Sequence, residues 1–184
     1  KTKSNLPESP EEKLKKLIKI HKIDKTNAEV LTKNLELVEF FEEVAKKVSP
    51  DYALHWVTGE LLRVLNYNKK TLDEVEIEIE HFVELLNLIK LKKLTELKAK
   101  QILNKFIPKS FSPSKELKSS ERITDKKELE EIARKAIKNN QKAVADFKSG
   151  NKTAFNFLMG EIMKLSNRRA DYKISEEILK KMLK

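Results

Sequence analysis

Lys164, Arg168 and Arg169 close a stretch with helical patterning, Gly150 to Asp171, that opens on a glycine flanked by Lys148 and Lys152 and is followed by Lys173. These are residue types that hold phosphate. Lys164 and Arg168 are four apart and share a helix face, guanidinium groups suit bidentate phosphate contact and stacking on bases, and the amides at a helix start favour anions. The six cations are therefore candidate contacts to a nucleic-acid backbone, and the competing reading is an ordinary solvated charged face.

Other chemistry finds little support. The chain has no Walker loop, GxGxxG, GxSxG or HExxH pattern. With three glycines in all, phosphate-cradling loops are hard to assemble. Glu78 and His81 match the Glu-x-x-His spacing of bundle di-iron sites, but such sites need a second copy and two further carboxylates. We expect no metal site and no catalytic residue. His21 and His55 have no acid–base partner implied by sequence and read as structural or surface groups. Gly59 and Gly160 interrupt helical stretches at a cost of about 1 kcal/mol against Ala, and are expected, with Trp56, to serve helix packing.

Composition bounds the rest. Among 184 residues, 37% are charged and 39% hydrophobic, with five prolines and three glycines, which points to a nearly all-helical protein with enough apolar residues for a core. The absence of cysteine removes disulfides and thiolate chemistry and suits a reducing, cytoplasmic setting. No apolar run approaches the roughly 20 residues of a membrane span, and no membrane partner is expected. The chain starts on Lys1 rather than Met, so a longer parent protein is expected. The net charge of +10 favours an anionic partner. From Glu121 onward there are 16 Lys and Arg against 10 Asp and Glu, so +6 of the +10 lies in the last third.

The elements that must carry these residues are legible from caps and periodicity. A first helix follows Pro7 and Pro10 and buries Leu14, Leu17 and Ile18; the next apolar stretch breaks near Lys33 and Asn34; Ser49 and Pro50 open a helix with the stripe Ala53, Trp56, Val57, Leu61, Val64 and Leu65. Val75, Ile77 and Ile79 alternate with Glu, so an extended entry precedes a helix from about Glu78. Thr95 caps a helix that turns Leu97, Ile102, Leu103 and Phe106 inward. The segment 108–124 is rich in Pro and Ser and reads as a linker between a helical domain, 1–107, and a tail domain, 125–184. Asp125 starts the tail, whose helices place Leu129, Ala133 and Ala136, then Leu158, Met159 and Ile162, then Ile178 and Leu179 on apolar faces. The expected fold class is all-α, in two helical modules.

Six segments, in order and at matching spacings, carry a resemblance to the C-terminal part of the GatB family, the B subunits of the tRNA-dependent aspartyl/glutamyl amidotransferases. The most specific are the Leu6 to Lys13 entry, Trp56-Val57-Thr58-Gly59-Glu60-Leu61-Leu62, and Asp146-Phe147-Lys148-Ser149-Gly150 leading to Phe157-Leu158-Met159-Gly160 and Met163-Lys164. Where that family usually ends the tail helix on a Gly-Lys-Ala-Asn-Pro-like run, this chain has Arg168-Arg169-Ala170-Asp171-Tyr172. Where it usually has a glycine in the first inter-helix turn, this chain has Lys22 or its neighbours.

The resemblance implies a helical domain followed by a YqeY-like tail, which together hold the outer corner of tRNA, and it makes the candidate contacts Lys148, Lys152, Lys164, Arg168, Arg169 and Lys173 contacts to tRNA phosphate. It implies no cofactor in this chain, ATP and Mg²⁺ belonging to a cradle domain of the full-length ligase. The A subunit, a glutamine amidase, and the small C subunit are implied as partners through the full-length protein. The related archaeal GatE protein and a basic helical adaptor for an acidic protein remain as alternatives.

Overall fold

The computed structural model describes residues 8–184, the side chain of Lys118 excepted, so that Pro7 and the start of the Leu6 to Lys13 stretch lie outside the described residues. Helices dominate, and among the described residues the only extended pairings are two isolated bridges, Glu76 with Lys109 and Ile123 with Ala170. The fold is all-α. No described helix is long and apolar enough to cross a membrane. The chain divides into two compact units, one taking in the chain to Asn87 with Leu103–Ser112, the other Leu88–Ile102 with Pro113–Lys184.

The first unit is built on capped helices. Helix α1, Pro10–His21, starts with a reciprocal capping box between Ser9 and Glu12. It ends on Lys22, which adopts the left-handed conformation (φ 54°) usual for glycine at this place. Helices α2, Lys25–Thr32, and α3, Leu35–Lys47, are separated where Asn34 caps the second by accepting from the amides of Glu36 and Leu37. The break expected at Lys33 and Asn34 thus has a local cause. Of the apolar positions assigned to α1, Leu17 is buried, while Ile18 is left exposed.

Next comes a rod whose winding departs from the expected single α-helix. It runs as α4, Pro50–Leu54, then a π-helical segment His55–Leu61, then α5, Leu62–Tyr67. Ser49 precedes Pro50 as expected but makes no side-chain cap bond. The stripe Ala53, Trp56, Val57, Leu61, Val64 and Leu65 is buried throughout. Phe40 and Phe82 meet edge to face at 5.2 Å, and Phe106 and Phe111 at 5.5 Å. Each fully buried ring of this kind contributes on the order of 1.5–3 kcal/mol. The entry to α6, Ile79–Lys90, is extended, and Glu76 exchanges backbone hydrogen bonds with Pro108 and Ser110 at 2.8 Å each.

Among the described residues no helix packs close against Gly59 or Gly160. A Cβ built on either would meet nothing within 4 Å, and both positions are exposed. The helix crossing expected over them is absent among the described residues.

The second unit contains the start of α7, Glu96–Asn104, the short α8, Leu117–Ser120, and four helices: α9 Lys126–Asn139, α10 Gln141–Lys148, α11 Thr153–Leu165 and α12 Tyr172–Met182. Leu129, Ala133 and Ala136 of α9 pack with Leu158, Met159 and Ile162 of α11 and with Ile178 and Leu179 of α12. Asp125 caps α9 through the Glu128 amide at 2.9 Å. Inside the Pro- and Ser-rich stretch, Pro113–Glu116 forms a 3-10 turn that runs into α8, and Pro113 and Ser120 are buried.

Candidate nucleic-acid interface

The cationic end of α11 is shaped by the turn beyond it. Asn167 and Arg168 both take the left-handed conformation, at φ 51° and 61°, which costs a non-glycine residue free energy and persists only where neighbours fix it. They do. The Arg168 amide donates to the Met163 carbonyl at 2.6 Å. Ser166 Oγ donates to that same carbonyl at 3.1 Å and accepts from the Ala170 amide at 3.1 Å. The carbonyl of Arg168 accepts from the hydroxyl of Thr95.

A second set of bonds holds residues 169–171 against residues 121–123. Ile123 donates to the Arg169 carbonyl at 2.8 Å, and Asp171 donates to the Ile123 carbonyl at 2.9 Å. Arg169 Nε donates to the Glu121 carbonyl at 2.8 Å. Arg122 meets one carboxylate oxygen of Asp171 through Nε at 2.9 Å and Nη2 at 2.8 Å, while the other oxygen caps α12 by accepting from the Ile174 amide.

Against this scaffold lies a groove of about 690 Å³. Its floor is apolar, from the buried Met159 and Met163, and around it stand Gln101, Asn156, Lys164, Asn167, Arg168 and Tyr172, with Gly160 leaving α11 bare between Asn156 and Lys164. Leu97, expected inward, is 39% exposed and forms part of the wall. Lys164 lies 3.9 Å from Glu161 with its side chain 79% exposed, a contact worth little in water. The Arg168 guanidinium has no partner among the described residues. Two exposed cations, amide side chains and a half-exposed tyrosine ring over an apolar floor suit a polyanion that also presents flat rings.

The six expected cations are distributed unequally. Lys164 and Arg168 share the groove, and Lys173 follows its wall residue Tyr172. Arg169 is held by the Glu121 carbonyl and acts first as a fastener of the turn. Lys148 and Lys152 sit at the far end of α11, about 20 Å away by helix rise. The phosphate seat expected there is not formed, because the first amides already have acceptors: Thr153 donates to the Asn151 side chain at 3.0 Å, Ala154 to the Asn151 carbonyl and Phe155 to the Lys152 carbonyl, both at 3.2 Å.

Gln101, Asn156 and Tyr172 were not among the sequence candidates. The spacing Asn156, Gly160, Lys164 marks one helix stripe and was readable as such. That α7 supplies the facing wall is a tertiary fact without a local signal. Elsewhere, Glu78 and His81 lie 3.6 Å apart and His81 Nδ1 pairs with Ser110 Oγ at 2.9 Å. No group of three or more His, Asp or Glu that could hold a metal ion occurs among the described residues.

A family model described as GatB domain matches residues 39–183. The chain belongs to the GatB domain family. Several proteins named as B subunits of aspartyl/glutamyl-tRNA(Asn/Gln) amidotransferase are similar to it. That of Methanococcus maripaludis (strain C7) is 38% identical over 192 residues, covering 100% of this chain and 41% of the relative. That of Methanocaldococcus jannaschii is 40% identical over 187 residues, covering 97% and 40%. A bacterial relative, from Clostridium beijerinckii, is 34% identical over 185 residues, covering 99% and 38%. The chain spans about two fifths of the length of these GatB relatives. Lys22 and Arg168 both adopt the left-handed backbone that glycine favours.

Proposed function

We propose that this chain is the non-catalytic, tRNA-binding C-terminal region of the B subunit of a tRNA-dependent amidotransferase, acting in the cytoplasm. On this reading the full-length ligase converts Glu-tRNA(Gln) and Asp-tRNA(Asn) to the amidated forms with ATP and ammonia from glutamine, in company with its A and C subunits. ATP and Mg²⁺ would be held in its cradle domain. On this reading no chemical step falls to the residues of this chain.

The observation that carries the proposal is the placement of Lys164 and Arg168 on one groove beside Tyr172 and three amide side chains, of Gln101, Asn156 and Asn167. Contacts of this composition hold a folded RNA through backbone charge and shape, and they weaken as salt displaces them. The test is binding of the chain to total tRNA and to duplex DNA of equal charge at two salt concentrations, for the parent and for Arg168→Ala. The expected result is preference for tRNA, a steep salt dependence, and a salt slope lowered by about 1 in the variant. Equal, weak binding to both nucleic acids would overturn it.

A further inference from the structure

A second cleft, of about 470 Å³, opens in the same unit where α9 gives way to α10, with the first turn of α11 as its other wall. Its size falls within the roughly 300–1,000 Å³ of ligand pockets. Its chemistry differs from that of the groove. Four carboxamides line it, from Asn139, Asn140, Gln141 and Asn151, together with the carboxylate of Asp146 and the ring of Phe157, which is 52% exposed.

Hydrogen bonding within the chain leaves this cleft with a defined set of free groups. Asn140 donates its Nδ2 to the Ala136 carbonyl and Gln141 its Nε2 to the Ile137 carbonyl, both at 2.8 Å, so each keeps a free oxygen. Asn151 uses its oxygen on Thr153, at 3.0 Å to the amide and 2.6 Å to the hydroxyl, and keeps a free NH₂. The Asp146 carboxylate and the Lys142 ammonium have no ion-pair partner among the described residues. The cleft therefore offers free acceptor oxygens, the Asp146 carboxylate among them, facing donors on Asn151 and Lys142, and a large apolar ring stands exposed beside them.

From this we infer that the cleft takes one unpaired nucleobase, a guanine, stacked on Phe157 with its pairing edge on Asp146. The inference rests on the nucleic-acid reading of this unit but concerns a different cleft. Among the bases, guanine presents two adjacent donors, N1–H and the N2 amino group, which match the two oxygens of one carboxylate. Its O6 acceptor then meets Asn151 Nδ2 or Lys142. An anionic side chain in a basic unit repels phosphate, and accepting from a base edge is the role in which its charge helps. Unpaired bases in loops are the part of folded RNA whose pairing edges are open to such readout.

The experiment uses the ¹⁵N-labelled chain, with guanosine monophosphate at millimolar concentration as probe and adenosine and inosine monophosphates as controls. Guanosine monophosphate should shift the side-chain NH₂ signals of Asn139 and Asn151 in a saturable way. Inosine monophosphate, which lacks the N2 amino group, should bind at least about fivefold more weakly, and adenosine monophosphate should not shift them. Phe157→Ala should weaken guanosine monophosphate by roughly fivefold or more, and Asp146→Asn should remove the preference over inosine. Unmoved signals, or equal response to all three nucleotides, would overturn the assignment whatever tRNA does. Loss of tRNA preference with the guanine response intact would sink the tRNA reading alone.

Discussion

The hydroxyl of Thr95 donates to the main-chain carbonyl of Arg168, and the same oxygen accepts from the Lys98 amide at 3.1 Å. One side chain thus caps α7 and anchors the turn that presents Arg168. Replacing Thr95 with Val keeps the shape and deletes both bonds. The expected loss is about 1–2 kcal/mol of stability, read from the midpoint of chemical denaturation, with a smaller loss of tRNA affinity than Arg168→Ala causes.

Arg168 and Arg169 are adjacent and chemically identical, yet they should fail differently. Arg169→Ala removes a bond to the Glu121 carbonyl and should lower the melting temperature. Arg168→Ala should leave melting within the scatter of surface substitutions while reducing RNA affinity. If both variants lose only affinity, the fastening role of Arg169 is wrong.

Gly160 lies in a helix with open space where a Cβ would stand. Gly160→Ala should therefore stabilise the chain by about 0.4–1 kcal/mol. The added methyl projects into the groove, so tRNA affinity should fall as stability rises. A rise in both would place the ligand elsewhere.

Asp171 both caps α12 and pairs with Arg122, with side-chain exposures of 13% and 22%. Asp171→Ala removes the cap and strands a partly buried guanidinium, at an expected cost of about 2–4 kcal/mol. Arg122→Ala in the Asp171→Ala background should cost far less than in the parent. Additive losses in that double-mutant cycle would show that the pair is not coupled.

The first unit should respond to acid. The Ser9 amide on Glu12, the Asn27 side chain on Asp24 and the Thr71 amide on Glu74 hold these carboxyls below their ordinary values. Groups lowered in the folded state contribute fully above their ordinary range and lose that contribution as pH falls through the folded value. Helicity followed by circular dichroism should be flat above about pH 5 and decline below about pH 4. Glu12→Gln should lower the plateau and flatten the decline.

Most of the helix boundaries were legible because their causes are local: Asn34, Thr95 and Asp125 each cap the helix directly after them. The apolar faces of α9, α11 and α12 were legible for the same reason, since period and burial agree along each helix. The π-helical segment was not, because Trp56, Val57 and Leu61 are spaced as either winding allows. Nor could sequence separate Arg168 from Arg169, whose difference is a carbonyl 48 residues away. The amide groups of the second cleft lacked any charge or motif to mark them, and only folding brings Asn139 and Asn151 to one cleft.

Phe157, Gly160 and Lys164 follow one another along the same stripe of α11, three and four residues apart. A helix rising 1.5 Å per residue sets Phe157 and Lys164 about 10 Å apart and keeps them so, with a bare stretch of backbone at Gly160 in between. Such a stripe works as a caliper. Whatever engages its aromatic jaw and its cationic jaw together must span that gap, a condition that a polymer with regularly repeated charges and rings meets at many places along its length.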